Sequence, residues 1–309
     1  MQLRLIFLFL ISSLTIPIEL AFAHQIKQVV EIKSLMEIDK PLAKTMYLFD
    51  MDDTLFDFPY MIGSKGWRRY LRKATKNEFE NWHDLFSLFL VRNYPVKTVE
   101  MCTSAFIEEL QKKGHPVFAL TARERNVWYD TQVKEIDKLT IRQLNSVGID
   151  FDQESLNQDY PQLVKSAEYF KGIFFANTEL KGDFLLELFK ETSQFPEKII
   201  FVDDKRNQAE SVAAVLNALG IDNQCYWYSL TDEKERHFDP LIANIQLYYF
   251  WISEGHQIVS DEEAFFIAEQ NPEKTAEYYL QQVLNDAKMS MPFSLRLKEK
   301  GNCLKEESH

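Results

Sequence analysis

The stretch Tyr47-Leu48-Phe49-Asp50-Met51-Asp52-Asp53-Thr54-Leu55 decides how this chain is read. The apolar run Met46–Phe49 predicts a short buried strand, and three carboxylates within four positions follow it at once. Like charges at that density are costly unless a cation or a reacting group sits among them. An acidic turn at a strand end is the plainer alternative, and the rest of the chain weighs between the two.

Working outward, apolar strands and helices alternate. A helix over 99–113 carries Cys102, Phe106 and Leu110 at helical spacing and stops at Gly114, ahead of a second strand at 117–120. A long helix is expected over 128–147, closed by Gly148. Strands at 173–176 and 198–202 follow, then a helix over 209–219 ending at Gly220, and a fifth strand at 224–228. Short, almost wholly apolar strands separated by helices predict an α/β fold with a parallel sheet covered on both faces. Such open sheets bind ligands at the carboxyl ends of their strands, where the polar residues following strands one, two and four would gather.

Two regions fall outside this alternation. Residues 57–98 read as a small helical cap inserted after the first strand, so the core is expected from 24–56 and 99–228. Residues 229–295 read as a helical C-terminal extension that covers one sheet face or meets a protein partner, and 296–309 as a frayed tail.

Composition narrows the function. The 309 residues are 46% hydrophobic, with 24 phenylalanines and only nine glycines, enough apolar material for a core. A net charge of −12 leaves no basic stripe for a nucleic acid. Arg4, the apolar stretch 5–14 and Ala21-Phe22-Ala23 have the pattern of an export leader cleaved after Ala23, too short for a membrane span. The mature chain is therefore expected in the periplasm or outside the cell. Cys102, Cys225 and Cys303 are odd in number and match no metal or redox spacing; Cys102 and Cys225 read as small core residues.

The quoted aspartates, with Thr121 closing the second strand, Lys181 before a helix and Asp203-Asp204 ending the fourth strand, resemble the four ordered motifs of the haloacid dehalogenase superfamily. The resemblance covers about residues 45–230 and implies a doubly wound sheet and phosphoester hydrolysis. Asp50 would attack phosphorus to form an aspartyl-phosphate, and Asp52 would protonate the leaving alcohol and then activate water. Thr121 would bond a phosphoryl oxygen, and Lys181 would offset the charge on Asp50 and phosphate, with Lys171 and Lys205 as substitutes. Asp50, Asp203, Asp204 and the Asp52 carbonyl would form an all-oxygen site suited to Mg²⁺, with Asp203 the direct ligand and Asp204 acting through water or Lys181. A proton donor at Asp52 favours ester hydrolysis over halide displacement.

Substrate choice is less legible. Arg123 and Arg125 after Thr121, or Arg68 and Arg69 on the insertion, could hold a second anionic group of a small or medium phosphorylated substrate. Phe56, Phe58, Trp67 and Tyr70 could stack on a ring or simply pack. A binding or effector protein on the same fold, with weak or no catalysis, is the alternative function.

Overall fold

The computed structural model describes residues 28–41, 43–78, 81–126, 134–177 and 180–289. The expected leader, the tail over 296–309, Cys303 and the 128–133 part of the expected long helix lie outside the described residues.

An edge strand, β1 (Val30–Ile32), precedes the quoted stretch, whose apolar run forms β2 (Met46–Phe49). A two-residue strand, β3 (Phe56–Asp57), leads into the insertion, which carries α1 (Lys65–Ala74) and α2 (Trp82–Asn93), and β4 (Lys97–Thr98) leads out. The chain continues through α3 (Thr103–Lys112), β5 (Val117–Thr121), α4 (Ile136–Ser146) and α5 (Glu154–Asp159). Then come β6 (Tyr169–Phe170), β7 (Ile173–Phe175), α6 (Lys181–Thr192), β8 (Lys198–Asp203), α7 (Arg206–Ala218) and β9 (Asp222–Tyr228). Four helices follow: α8 (Thr231–Arg236), α9 (Pro240–Ile252), α10 (Asp261–Gln270) and α11 (Ala276–Met289).

Seven strands form one sheet in the order β1-β9-β8-β2-β5-β7-β6, parallel throughout except for β6. The strands are apolar at both parities because both faces are covered. Tyr47 and Phe49 of β2 join a cluster with Phe106, Leu110 and Leu144 of α3 and α4. Met46 and Leu48 join Leu185, Phe189, Val212 and Leu216 of α6 and α7 on the other face. The expected glycine stop after α3 is met at Gly114, at φ 81°, with the His115 amide bonded back to the Leu110 carbonyl at 3.1 Å.

Three expectations change. The long helix begins, among the described residues, only at Ile136, because Glu135 before it is left-handed at φ 70°. The edge strands β1 and β6 escape an apolar-run reading because they are two or three residues long and carry exposed or half-buried positions. The C-terminal helices cover the insertion rather than a sheet face. Ala243, Leu247, Phe250 and Trp251 of α9 and Leu280, Val283 and Leu284 of α11 share one cluster with Trp67, Phe86 and Phe89. The Phe89 ring lies 4.9 Å from Trp251, and Tyr94 lies 4.7 Å from Phe250. At about 1.5–3 kcal/mol per buried large apolar side chain, this layer holds α1 and α2 firmly from behind. Phe56, Phe58 and Trp67 are buried, and Tyr70 lies 6.1 Å from the Phe238 ring.

No helix among the described residues is long and apolar enough to cross a membrane. Cys102 is a half-buried free thiol just before α3, and Cys225 is buried and free.

Candidate active site

The chain leaves β2 for β5 and β7 on one side of the sheet, then returns to β8 and β9 on the other. The crevice at such a reversal lies at the carboxyl end of β2, flanked by the ends of β5 and β8. Asp50, Thr121 and Asp203 sit at those three ends. The Asp50 amide extends the ladder to the Val202 carbonyl at 2.8 Å.

Past Asp50 the backbone coils. The Leu55 and Phe56 amides both turn back to the Met51 carbonyl, at 2.9 and 3.3 Å, and Asp53 takes a left-handed φ of 65°. Aspartate tolerates that conformation better than most side chains. The coil sends the three carboxylates to different partners: Asp50 to Lys181, Asp52 to Arg123 and Asp53 to Arg68.

Asp50, Asp203 and Asp204 are buried and offer carboxylate oxygens within 4.8 Å of one another. Lys181, buried at the first position of α6, donates to Asp50 Oδ1 and, at 2.6 Å, to Asp203 Oδ2. A cation is disfavoured at a helix N-terminus, so these two acids hold it there. The α6 terminus is also tied to α7: the Lys181 amide donates to Gln208 Oε1 at 2.9 Å and the Gly182 amide to Ser211 Oγ at 3.2 Å. Thr54 Oγ1 donates to Asp50 Oδ2 and accepts from the Asp204 amide, both at 3.0 Å.

Of the two adjacent aspartates, Asp203 and not Asp204 is the one bonded to Lys181. Asp203 also accepts the Lys205 amide at 2.8 Å. Neither carboxylate oxygen of Asp204 accepts a hydrogen bond among the described residues, although Lys65 Nζ lies 3.1 Å from Oδ2. Buried acceptors left open in this way favour Asp204 as the more available cation ligand.

Charge states follow from burial first. Burial pushes the Asp50 carboxyl up to about 6, against the pull of Lys181, with Asp203 adding to the rise. Asp204 is raised well above the carboxylate range by burial and then by Asp53, Asp50 and Asp203. Burial opposes the Lys181 ammonium, but the charges of Asp203 and Asp50 outweigh it and raise its pKa. Asp52 goes the other way. Burial would raise it, yet Arg123 holds it low through its charge and two hydrogen bonds, 2.9 Å to Oδ2 and 2.6 Å to Oδ1.

A cleft of about 280 Å³ opens over this floor. Asp50, Asp52, Thr121 and Arg123 lie on the sheet side, Lys65, Arg68, Arg69 and Arg72 on α1, and His83, Ser87, Leu90 and Val91 on α2. Thr121 is buried and lines the cleft. Arg123 lines it too, but its guanidinium is taken up by Asp52, Thr140 Oγ1 at 3.1 Å and Gln143 Oε1 at 2.8 Å. Arg125 is outside the lining and engages the Ala167 carbonyl and Asp137. Lys171 pairs with Asp152 at 3.2 Å, whereas Lys205 joins the lining. Phe58 and Trp67 are both core and cleft wall.

Lys65, Arg72, His83 and Ser87 are not singled out by the sequence, and Thr54 enters there only as part of the quoted stretch, without a role. One signal could have found part of the set: Lys65, Arg68, Arg69 and Arg72 fall at i, i+3, i+4 and i+7, a cationic stripe on one helix face. Nothing in the sequence says which neighbour that face meets.

A family model described as "Protein of unknown function (DUF2608)" matches residues 23–265. The chain belongs to the DUF2608 family. The matched span of this DUF2608 protein takes in every residue of the carboxylate floor and the cleft. It is similar to a "Putative outer membrane protein" of Chlamydia trachomatis serovar D, 25% identical over 80% of this chain and 93% of the relative. A protein of Chlamydia muridarum with the same description is 24% identical over 71% of this chain and 84% of its own. A Chlamydia pneumoniae relative, also described as "Putative outer membrane protein", is 25% identical over 65% and 76%.

Proposed function

We propose that this DUF2608 protein is an exported, Mg²⁺-dependent phosphatase of the haloacid dehalogenase type, hydrolysing a phosphate monoester through an aspartyl-phosphate on Asp50. One observation carries the reading: Lys181 bridges Asp50 and Asp203 while the buried Asp204 keeps open acceptors beside them. Three carboxylates face the Lys181 ammonium and that of Lys65, which is shared between Asp204 and Asp232, so an excess of negative charge remains in a dry place. An all-oxygen donor set with open acceptors fits Mg²⁺, and Asp50, Asp203 and Asp204 would hold it. The ion would supply charge neutralisation for the phosphoryl oxygens.

The chain's own residues supply the rest. A buried Asp50 with a pKa of about 6 is mainly ionised at neutral pH and poorly solvated, which suits a nucleophile. Attack forms the Asp50 oxygen–phosphorus bond and breaks the bond to the leaving alkoxide, which takes a proton. Thr121, which lines the cleft, would bond a phosphoryl oxygen, and Lys181, bonded to Asp50 behind it, would offset the charge that develops there. Asp52, ionised beside Arg123, is ready to take a proton from water in the second half-reaction. Giving a proton to the leaving alkoxide in the first half requires the Asp52–Arg123 pair to open and Asp52 to carry a proton taken up beforehand from solvent. The proton it later takes from the attacking water restores that form as the Asp50 oxygen–phosphorus bond breaks.

Residues 24–309 with Mg²⁺ should hydrolyse p-nitrophenyl phosphate, and a chelator or Asp50→Asn should lower turnover by at least about 10³-fold. Turnover without Mg²⁺ that survives Asp50→Asn would refute the mechanism. Export draws on the leader-like first 23 residues and on the relatives' description; a mature N-terminus at His24 in the secreted or envelope fraction is the expected result. A second reading, a binding protein on the same fold, is favoured by Phe265 and Phe266, 56% and 60% exposed on α10. Capture of a protein partner that Phe265→Ser weakens, with no hydrolysis across a broad phosphoester panel, would select it.

A further inference from the structure

The cap end of the cleft has donors without acceptors. On α1, Lys65 has Asp204 and Asp232 as partners, Arg68 has Asp53 and Arg69 has Glu235. Arg72, on the same face, has no carboxylate within ion-pair distance among the described residues. Its one hydrogen-bond contact there is His83 Nε2 at 3.5 Å. The His83 ring is oriented by Asp84, whose Oδ1 lies 2.7 Å from Nδ1 and can only accept while ionised. One turn along α2, Ser87 is buried and its hydroxyl has no hydrogen-bond partner among the described residues.

Guanidinium and hydroxyl donors at one end of a cleft, on α1 and α2, call for a group that accepts with several oxygens. The surroundings sharpen the point, since the chain as a whole carries a net charge of −12. Spacing follows from the helix. Lys65 stands over Asp204, and Arg72 lies seven residues on, nearly two full turns, so about 10 Å further along the axis at about 1.5 Å per residue.

We propose that Arg72, with Ser87, forms a second anion subsite about 10 Å along α1 from Lys65 and the carboxylate floor, so that the substrate is a phosphoester bearing a second phosphoryl group. The inference rests on the phosphatase reading for the first phosphoryl group. The second group is bound and not transferred, so no bond changes there.

The test separates the two claims by measuring binding without turnover. The full chain carrying Asp50→Asn, with Mg²⁺, is titrated calorimetrically with a hexose 1,6-bisphosphate and with a hexose 6-phosphate; wild-type chain with Ca²⁺ serves if that variant misfolds. The bisphosphate is expected to bind at least about tenfold tighter, and adding Arg72→Gln to bring the two within about threefold. Equal binding of the two ligands, or a preference that survives Arg72→Gln, overturns the subsite. Hydrolysis of p-nitrophenyl phosphate without that preference leaves the phosphatase reading standing alone. The preference without any hydrolysis leaves the subsite standing and removes the phosphatase.

Discussion

The cleft has two walls of opposite charge and opposite construction. Its floor is acidic, set on the ends of adjacent parallel strands, and dry: Asp203, Asp204 and Lys181 are each 1% exposed. Its cap wall carries its cations on one helix, and the outer ones are wet: Arg72 is exposed, and the Arg69 side chain is 73% exposed. The same kind of ion pair should therefore matter very differently on the two sides. In the floor a missing partner strands a buried charge, whereas in the wall water replaces it.

The largest effect expected is at the floor. Lys181→Met removes the cation shared by Asp50 and Asp203 and should destabilise the metal-free protein by about 3–5 kcal/mol. Urea unfolding with and without Mg²⁺ measures it. Part of the loss should return with Mg²⁺ if the acids hold an ion. A change below about 1 kcal/mol would mean that the floor is far more hydrated than its burial indicates.

The seam between the walls gives the next effect. Asp57 lies on β3, where the insertion leaves the core, and pairs with Lys234 of α8. Burial, then the charge of Asp53, pushes its carboxyl up to about 6, with Lys234 pulling it down. The folded state thus binds this proton more tightly than the unfolded chain. Its stabilising influence is full below about pH 4 and is lost as pH rises to about 6. At about 1.4 kcal/mol per pH unit, the window is worth on the order of 2–3 kcal/mol. Asp57→Asn should flatten the stability–pH curve between about 4 and 6, read from urea midpoints; an unchanged slope would show that Asp57 titrates as a solvated acid.

The two walls also differ in how far the sequence reveals them. Asp50, Thr121 and Asp203 each follow an apolar strand, and adjacent parallel strands bring their ends together, so local pattern and topology agree. Lys181 was legible as the polar residue opening a helix after β7. What stayed hidden needs three dimensions. That Lys181 takes Asp203 and leaves Asp204 open depends on side-chain directions at one strand end. That Arg123 is consumed by Asp52, Thr140 and Gln143 depends on α4 packing beside β5. That α9 and α11 back the insertion depends on which of several amphipathic faces meet, which helical spacing leaves undetermined.

A smaller effect tests the rigidity of the floor. A Cβ on Gly182 would lie 2.3 Å from the Ser211 carbonyl oxygen, so the close approach of α6 to α7 requires glycine there. Gly182→Ala should cost about 1–3 kcal/mol and shift the Lys181 end of α6. Turnover should fall together with stability, and a stable variant with unchanged activity would show that α6 can move without disturbing Lys181.

The smallest effect belongs to the cap wall. Arg69 pairs with Glu235, but the arginine side is largely in water. Its ion pair gains little Coulomb energy against a high dielectric and is screened by salt. Arg69→Gln should therefore change stability by less than about 1 kcal/mol, and by still less at high salt. Arg69 lines the cleft all the same, so the variant is informative in a second measurement: its affinity for anionic ligands should fall at low salt more than its stability does. If Arg69→Gln destabilised the fold as much as Lys181→Met, the contrast between a dry floor and a wet wall would fail, because exposure would no longer set what an ion pair is worth in this cleft.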